Sequence, residues 1–141
     1  MKTIRTHSVS ETEAFARDFA KNLRAGDVIA YTGGMGAGKT AFTRGLAQGL
    51  HVSGEVSSPT FALVHEYRGT PPLYHFDMYR ITDLDDLYST GFFDYLESGA
   101  VLAIEWSENI TDALPDNTIY VDIRVCGENE REITIKGADT P

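Results

Sequence analysis

The chain has a single cysteine, Cys126, among its 141 residues. An internal disulfide is therefore excluded, and no second cysteine exists to open a zinc-binding spacing. Long apolar runs are missing too: nothing approaches the roughly 18 consecutive apolar residues that a membrane-spanning helix needs. The opening "MKTIRTHSVSETEAF" carries no apolar core, so no secretory signal is expected, and a reducing cytoplasm is the expected home. Basic clusters are also absent. Twelve lysines and arginines lie scattered among twenty-one acids, for a net charge of −9 and a pI near 4.7. Nucleic-acid phosphates are gripped by basic surfaces, so any nucleic acid in this function is expected to be carried by a partner. There is no repeat, low-complexity tract or domain linker. With 42% hydrophobic and 23% charged residues, the composition is that of a soluble globular protein, and residues 1–141 suit a single domain.

What the chain does have is glycine in one place. "YTGGMGAGKTAF", Tyr31 to Phe42, follows the apolar run Val28–Tyr31 and precedes a helical pattern with Phe42, Leu46 and Leu50 on one face. Gly33-x-x-x-x-Gly38-Lys39-Thr40 is a P-loop. Glycines let consecutive backbone N–H groups curl around phosphate oxygens, and the following helix points its N-terminal dipole at the same anion. Lys39 is expected to reach the β- and γ-phosphates, and the Thr40 hydroxyl to ligate magnesium.

Other elements follow from pattern. Ser10-Glu11-Thr12-Glu13 has the form of a capping box, and Phe15, Phe19 and Leu23 recur behind it every four residues, which predicts a helix ending at Ala25-Gly26-Asp27. Phe61–Gly69 and Pro72–Arg80 flank a turn and predict two neighbouring strands. Short helices are expected at 83–88 and 92–97, then an apolar strand over Ala100–Trp106. The tail alternates Ile119, Val121, Ile123 and Val125 with polar residues, turns at Gly127-Glu128-Asn129 and ends in "REITIK", an antiparallel hairpin. Strands alternating with helices predict an α/β fold: a P-loop NTPase-like three-layer sandwich with a mixed central sheet and a C-terminal antiparallel hairpin.

Hydrolysis needs acids around the metal and the attacking water. Two apolar strands end in acids, "LYHFD" at Asp77 and "VLAIE" at Glu105. In a parallel α/β sheet, ligands sit beyond the carboxyl ends of the strands, so either acid faces the phosphates if its strand runs parallel to Val28–Tyr31; otherwise it is a solvated strand end. Ser57-Ser58-Pro59-Thr60 is either a plain turn or a loop whose Thr60 senses the γ-phosphate. Trp106 reads as an edge-of-core aromatic, His75 as a core-strand histidine bonding backbone, and Asp83–Asp86 as a solvated helix start. A GTPase would carry N-K-x-D late in the chain, and none occurs. A small-molecule kinase would need an acceptor site and an arginine-bearing lid. An ATPase that drives a partner needs neither, and it is favoured, with the kinase as the alternative.

The order and spacing of "GGMGAGKTAFTRGLAQGL", "SSPTFALVHEY", "YHFDMYR" and "AIEW" resemble the TsaE family, small bacterial P-loop ATPases of tRNA threonylcarbamoyladenosine biosynthesis. The likeness runs from about Ser10 to Lys136. It implies a mixed sheet with helices around it, ATP and Mg2+ as cofactors, and a cradle of Gly33, Met35, Gly36, Ala37 and Gly38 with Lys39 and Thr40. It implies Thr60 in a switch-like loop, Asp77 and Glu105 as the acids around the magnesium and water, and Trp106 beside them. The segment Ser8–Thr12, with Thr12, would lie close to the nucleotide's base. The implied partners are the transferase subunits TsaD and TsaB, which would hold the tRNA. Two positions depart from the family pattern: Gly33-Gly34-Met35-Gly36 stands where Gly-Asp-Leu-Gly is usual, and Ser107 where proline often follows I-E-W.

Overall fold

The computed structural model describes residues 2–33, 38–53, 64–79 and 81–137. Its framework is a seven-stranded mixed sheet in the order β1-β7-β6-β2-β5-β4-β3. The strands are β1 (Lys2–Thr6), β2 (Val28–Thr32), β3 (Val64–Tyr67), β4 (Leu73–Asp77), β5 (Val101–Glu105), β6 (Ile119–Val125) and β7 (Arg131–Lys136). The inner four, β6, β2, β5 and β4, run parallel. β3 and β7 pair antiparallel at the flanks, and β1 adds an antiparallel edge to β7. The mixed α/β architecture and the terminal hairpin agree with the sequence.

β2 and β5 are buried along almost their whole length because helices cover both of their faces. Ile29, Tyr31, Val101 and Ala103 meet α1 (Val9–Ala20) and α2 (Lys39–Gly49). Val28, Leu102 and Ile104 meet α3 (Leu84–Ser89), α4 (Phe92–Leu96) and a 3-10 segment at Ser107–Ala113. β6 is covered on one face only: Ile119, Val121 and Ile123 are buried in the first core, while Tyr120, Asp122 and Arg124 alternate outward. α1 and α2 run side by side in the same direction. A side chain at Gly45 would collide with the Glu13 carbonyl, and one at Gly49 with that of Arg17. Phe42 and Leu46 are fully buried on the predicted face of α2.

Charge is unevenly shared between these layers. From Ile81 to Ile123 the chain has ten acids and no lysine, arginine or histidine. That stretch includes all of α3, α4 and the 3-10 segment.

Three sequence expectations need correction, and one strand was not expected at all. The helix cap is Ser8, whose side chain accepts from Glu11 N–H at 3.0 Å while the Glu11 carboxylate accepts from His7 N–H at 3.3 Å. The S-x-x-E pattern fits Ser8–Glu11 as well as Ser10–Glu13, and extended backbone at Ser8 decides between them. α1 stops at Ala20, and Leu23 packs onto the core from the turn beyond. β1 had no sequence signal, since Ile4 is the lone apolar residue in "KTIRT"; pairing with β7 makes it a strand. Val125 is 57% exposed at the hairpin end. Of the strand expected over Phe61–Gly69, residues 61–63 lie outside the described residues.

Candidate functional site

β2 delivers the chain to Gly33, whose φ of +115° is a glycine conformation and whose missing side chain lets its own backbone lie against the Ile123 carbonyl of β6. The loop re-enters described residues at Gly38, also left-handed at φ +105°, which caps α2. Glycine offers no side-chain oxygen to cap this helix start. Lys39 and Thr40 occupy the first turn. Met35, Gly36, Ala37 and Thr60 lie outside the described residues.

The start of α2 is fixed from below. Thr43 Oγ1 donates to the Lys39 carbonyl at 2.8 Å, which spends its one proton. Tyr31 O–H must then be the donor in the 2.6 Å bond to Thr43. Burial pushes the Tyr31 hydroxyl pKa far up; the Thr43 bond opposes the shift, and the Glu105 charge adds to it. Tyr31 therefore keeps its proton and holds β2 to α2.

Both candidate acids stand where the parallel-strand condition places them. Asp77 and Glu105 are register partners at the carboxyl ends of β4 and β5, and β5 runs parallel to β2. Asp77 Oδ1 accepts from Tyr79 N–H at 2.9 Å. Burial raises the Asp77 pKa first; the Tyr79 bond lowers it, Glu105 raises it, and His75 and Lys39 lower it. Lys39, His75 and Glu105 are thus all near enough to act on Asp77.

Glu105 is held differently. Its Oε2 lies 2.7 Å from His75 Nε2, and His75 is fully buried. His75 is a core-strand histidine as expected, yet its partner is this carboxylate rather than backbone. The period-2 alternation of "HFD" already put His75 on the face of Asp77; what sequence could not give was the β4–β5 register that brings Glu105 beside it.

Trp106 follows Glu105 with left-handed backbone at φ +59°. Its ring meets Tyr79 with centroids 5.0 Å apart, and it packs against the second core. Ser107 emerges only from structure: it is buried, and its Oγ donates to the Tyr31 carbonyl at 2.9 Å, a bond that proline could not make. Asn109 Nδ2 donates to the Met78 carbonyl at 2.8 Å. The 3-10 segment therefore ties the ends of β2, β4 and β5 together. Thr12 sits at the end of α1 that lies alongside the start of α2, buried, its hydroxyl 2.7 Å from that of Thr6. Asp83 caps α3 by accepting from Asp86 N–H at 2.8 Å, the helix start expected of it.

Among the described residues no three His, Cys, Asp or Glu side chains are grouped to hold a metal by themselves. Magnesium suits such a place, because it commonly takes one or two carboxylates and completes its shell with water and phosphate oxygens. Asp77, Glu105 and the Thr40 hydroxyl fit that demand in kind. Among the described residues, no helix is long and apolar enough to cross a membrane.

The model of the family described as "Threonylcarbamoyl adenosine biosynthesis protein TsaE" matches residues 6–133. Among curated proteins, the tRNA threonylcarbamoyladenosine biosynthesis protein TsaE of Treponema pallidum is 36% identical over 130 residues, covering 92% of this chain and 96% of that protein. The protein of the same description from Bacillus subtilis is 40% identical over 131 residues, covering 92% and 82%. Among solved structures, the crystal structure of Bacillus subtilis YdiB superposes with a TM-score of 0.78 at 36% identity, covering 95% of this chain and 83% of that one.

Proposed function

Since the chain belongs to the TsaE family, we propose that it binds and hydrolyses ATP with magnesium in support of tRNA threonylcarbamoyladenosine synthesis, acting through the transferase subunits TsaD and TsaB. The observation that carries this reading is the gathering of Lys39, Asp77 and Glu105 at the carboxyl edge of the parallel strands.

In this reading the backbone of Gly33, Met35, Gly36, Ala37 and Gly38 cradles the phosphates, and the Lys39 ammonium neutralises β- and γ-oxygens. Thr40, Asp77 and Glu105 would hold the metal, which would neutralise charge on the transferring phosphoryl group. Asp77 and Glu105 also orient the attacking water, with Trp106 and the 3-10 segment fixing the strand end behind Glu105. Thr60 senses the γ-phosphate. Thr12 serves the base side by anchoring the N-terminal turn of α1, since its hydroxyl is engaged by Thr6. The net charge of −9 leaves tRNA contact to the partners.

The test is phosphate release from ATP by the purified chain, alone and with TsaD and TsaB, with Lys39→Ala as control. Partner-stimulated release that is lost in the variant supports the reading. Transfer of the phosphoryl group to a small molecule would establish the kinase alternative in its place, and no release under either condition would remove the ATPase.

A further inference from the structure

β4 and β5 pair in parallel with His75 opposite Ala103 and Asp77 opposite Glu105. Side chains two residues apart on a strand share a face, so His75, Asp77, Ala103 and Glu105 all project from one side of the sheet. Ala103 belongs to the core beneath α1 and α2, which makes this the side that carries Lys39. His75 therefore reaches Glu105 diagonally, one pleat back from the strand end. Ala103, small and fully buried, leaves room for the imidazole.

The proton arrangement follows from burial. Among the described residues His75 Nδ1 has no hydrogen-bond partner, and it is closed to solvent. A buried N–H donor without an acceptor is costly, so the arrangement that leaves none carries the proton on Nε2 and donates it to Glu105 Oε2. That bond joins a donor to a carboxylate with 13% of its side chain exposed, the charge-assisted kind. A glutamate at a strand end would otherwise rotate about three side-chain bonds.

We infer that His75 is a positioning residue for Glu105: it fixes one carboxylate oxygen so that the side chain presents the other, Oε1, to the nucleotide site in a single orientation. The inference rests on the proposed role of Glu105 in hydrolysis. His75 touches neither nucleotide nor metal in this scheme. It acts as outer partners of metal-site carboxylates do, by restricting the ligand, and losses of about 10- to 100-fold in activity are usual when such partners are removed.

The experiment compares His75→Gln with His75→Met in the full chain with TsaD and TsaB, reading kcat and KM for ATP and checking folding by urea denaturation. Glutamine places an amide N–H near the position of Nε2, and methionine has similar length and no donor. Expected is a fall in kcat of about 10- to 100-fold for His75→Met with KM within about twofold, and recovery of most of kcat in His75→Gln. Should His75→Met unfold, His75→Leu replaces it, because leucine likewise carries no donor. A donor-less variant that folds and turns over at the wild-type rate overturns the inference, and so does a His75→Gln variant no faster than the donor-less one. Glu105→Ala in the same assay separates the two levels. If it hydrolyses ATP normally, the role of Glu105 fails and takes this inference with it. If it is inactive while the folded donor-less variant is fully active, Glu105 keeps its role and His75 loses the one assigned.

Discussion

Asp77 sits directly across from Glu105 at the ends of two parallel strands, yet the two carboxylates are held by different donors. A backbone N–H from Tyr79 meets the first, and the buried imidazole of His75 meets the second. Two negative side chains this close compete for ionisation, and the Asp77 pKa is raised, by burial above all and then by Glu105.

That shift sets a pH dependence. A carboxyl with a raised folded pKa binds its proton more readily in the folded state, so its contribution to stability is full below the ordinary carboxylate pKa and is lost as pH rises through the folded value. Asp77→Asn keeps an oxygen for Tyr79 N–H and removes the titration. Relative to wild type, the variant is expected to gain stability between pH 4 and pH 7. Urea unfolding at both pH values checks this, and a difference that shrinks over that range contradicts it.

Glu105→Ala is expected to separate binding from chemistry. The proposed phosphate cradle and Lys39 are untouched by the change, so ATP affinity is expected to stay within about threefold while phosphate release falls by about 100-fold or more, the scale of losing one well-placed electrostatic group. Equilibrium nucleotide binding alongside phosphate release gives both numbers. Normal release would show that the acid lies outside the chemistry.

Lys39→Ala should act on both. Removing the cation proposed to face the β- and γ-phosphates is expected to lower kcat/KM by at least about 100-fold. Lys39 is half-buried on the first turn of α2 and no part of the core, so the unfolding midpoint should hardly move. A large stability loss would mean that the lysine is structural.

Ser107→Ala deletes the hydroxyl that donates to the Tyr31 carbonyl. A buried hydrogen bond of this kind contributes about 1–2 kcal/mol once the stranded acceptor is counted. The predicted effect is a lower urea midpoint with an unchanged slope, together with slower phosphate release, because the bond joins the strand entering the P-loop to the segment behind Glu105.

Gly45→Ala tests the contact between α1 and α2. On helix propensity alone, alanine would stabilise α2 by about 1 kcal/mol. Here the added carbon would meet the Glu13 carbonyl and lie 2.6 Å from Ala16 Cβ, and neither is a flexible side-chain end. Overpacking of this sort costs about 1–3 kcal/mol, so a net loss of stability is expected. A gain would show that the helices can part freely.

Much of this was legible in the residues themselves. The P-loop reads directly because its chemistry demands fixed types at fixed spacing. β2 and β5 read as buried because burial on both faces removes polar residues from the whole strand. The register of β4 against β5 could not be read, since nothing local to "LYHFD" or "VLAIE" says which residues face each other. His75 therefore stayed an ordinary core histidine until the sheet was assembled. β1 was invisible for a related reason: with one apolar residue, its structure comes from β7. The 3-10 segment, with its serine latch, depends on a left-handed tryptophan that no propensity favours.

The charge layout has a consequence for motion in solution. Ten acids without a compensating base lie between Ile81 and Ile123, more than the net charge of the whole chain, so the remainder is close to neutral. The net negative charge therefore resides in this stretch, which includes α3, α4 and the 3-10 segment. Near a positively charged body, electrostatic torque will favour approaches that bring the face of α3, α4 and the 3-10 segment forward before any contact is made. At physiological salt that torque is felt only within about 8 Å, so it sorts approaches in the last moments of encounter and weakens steeply as salt is added.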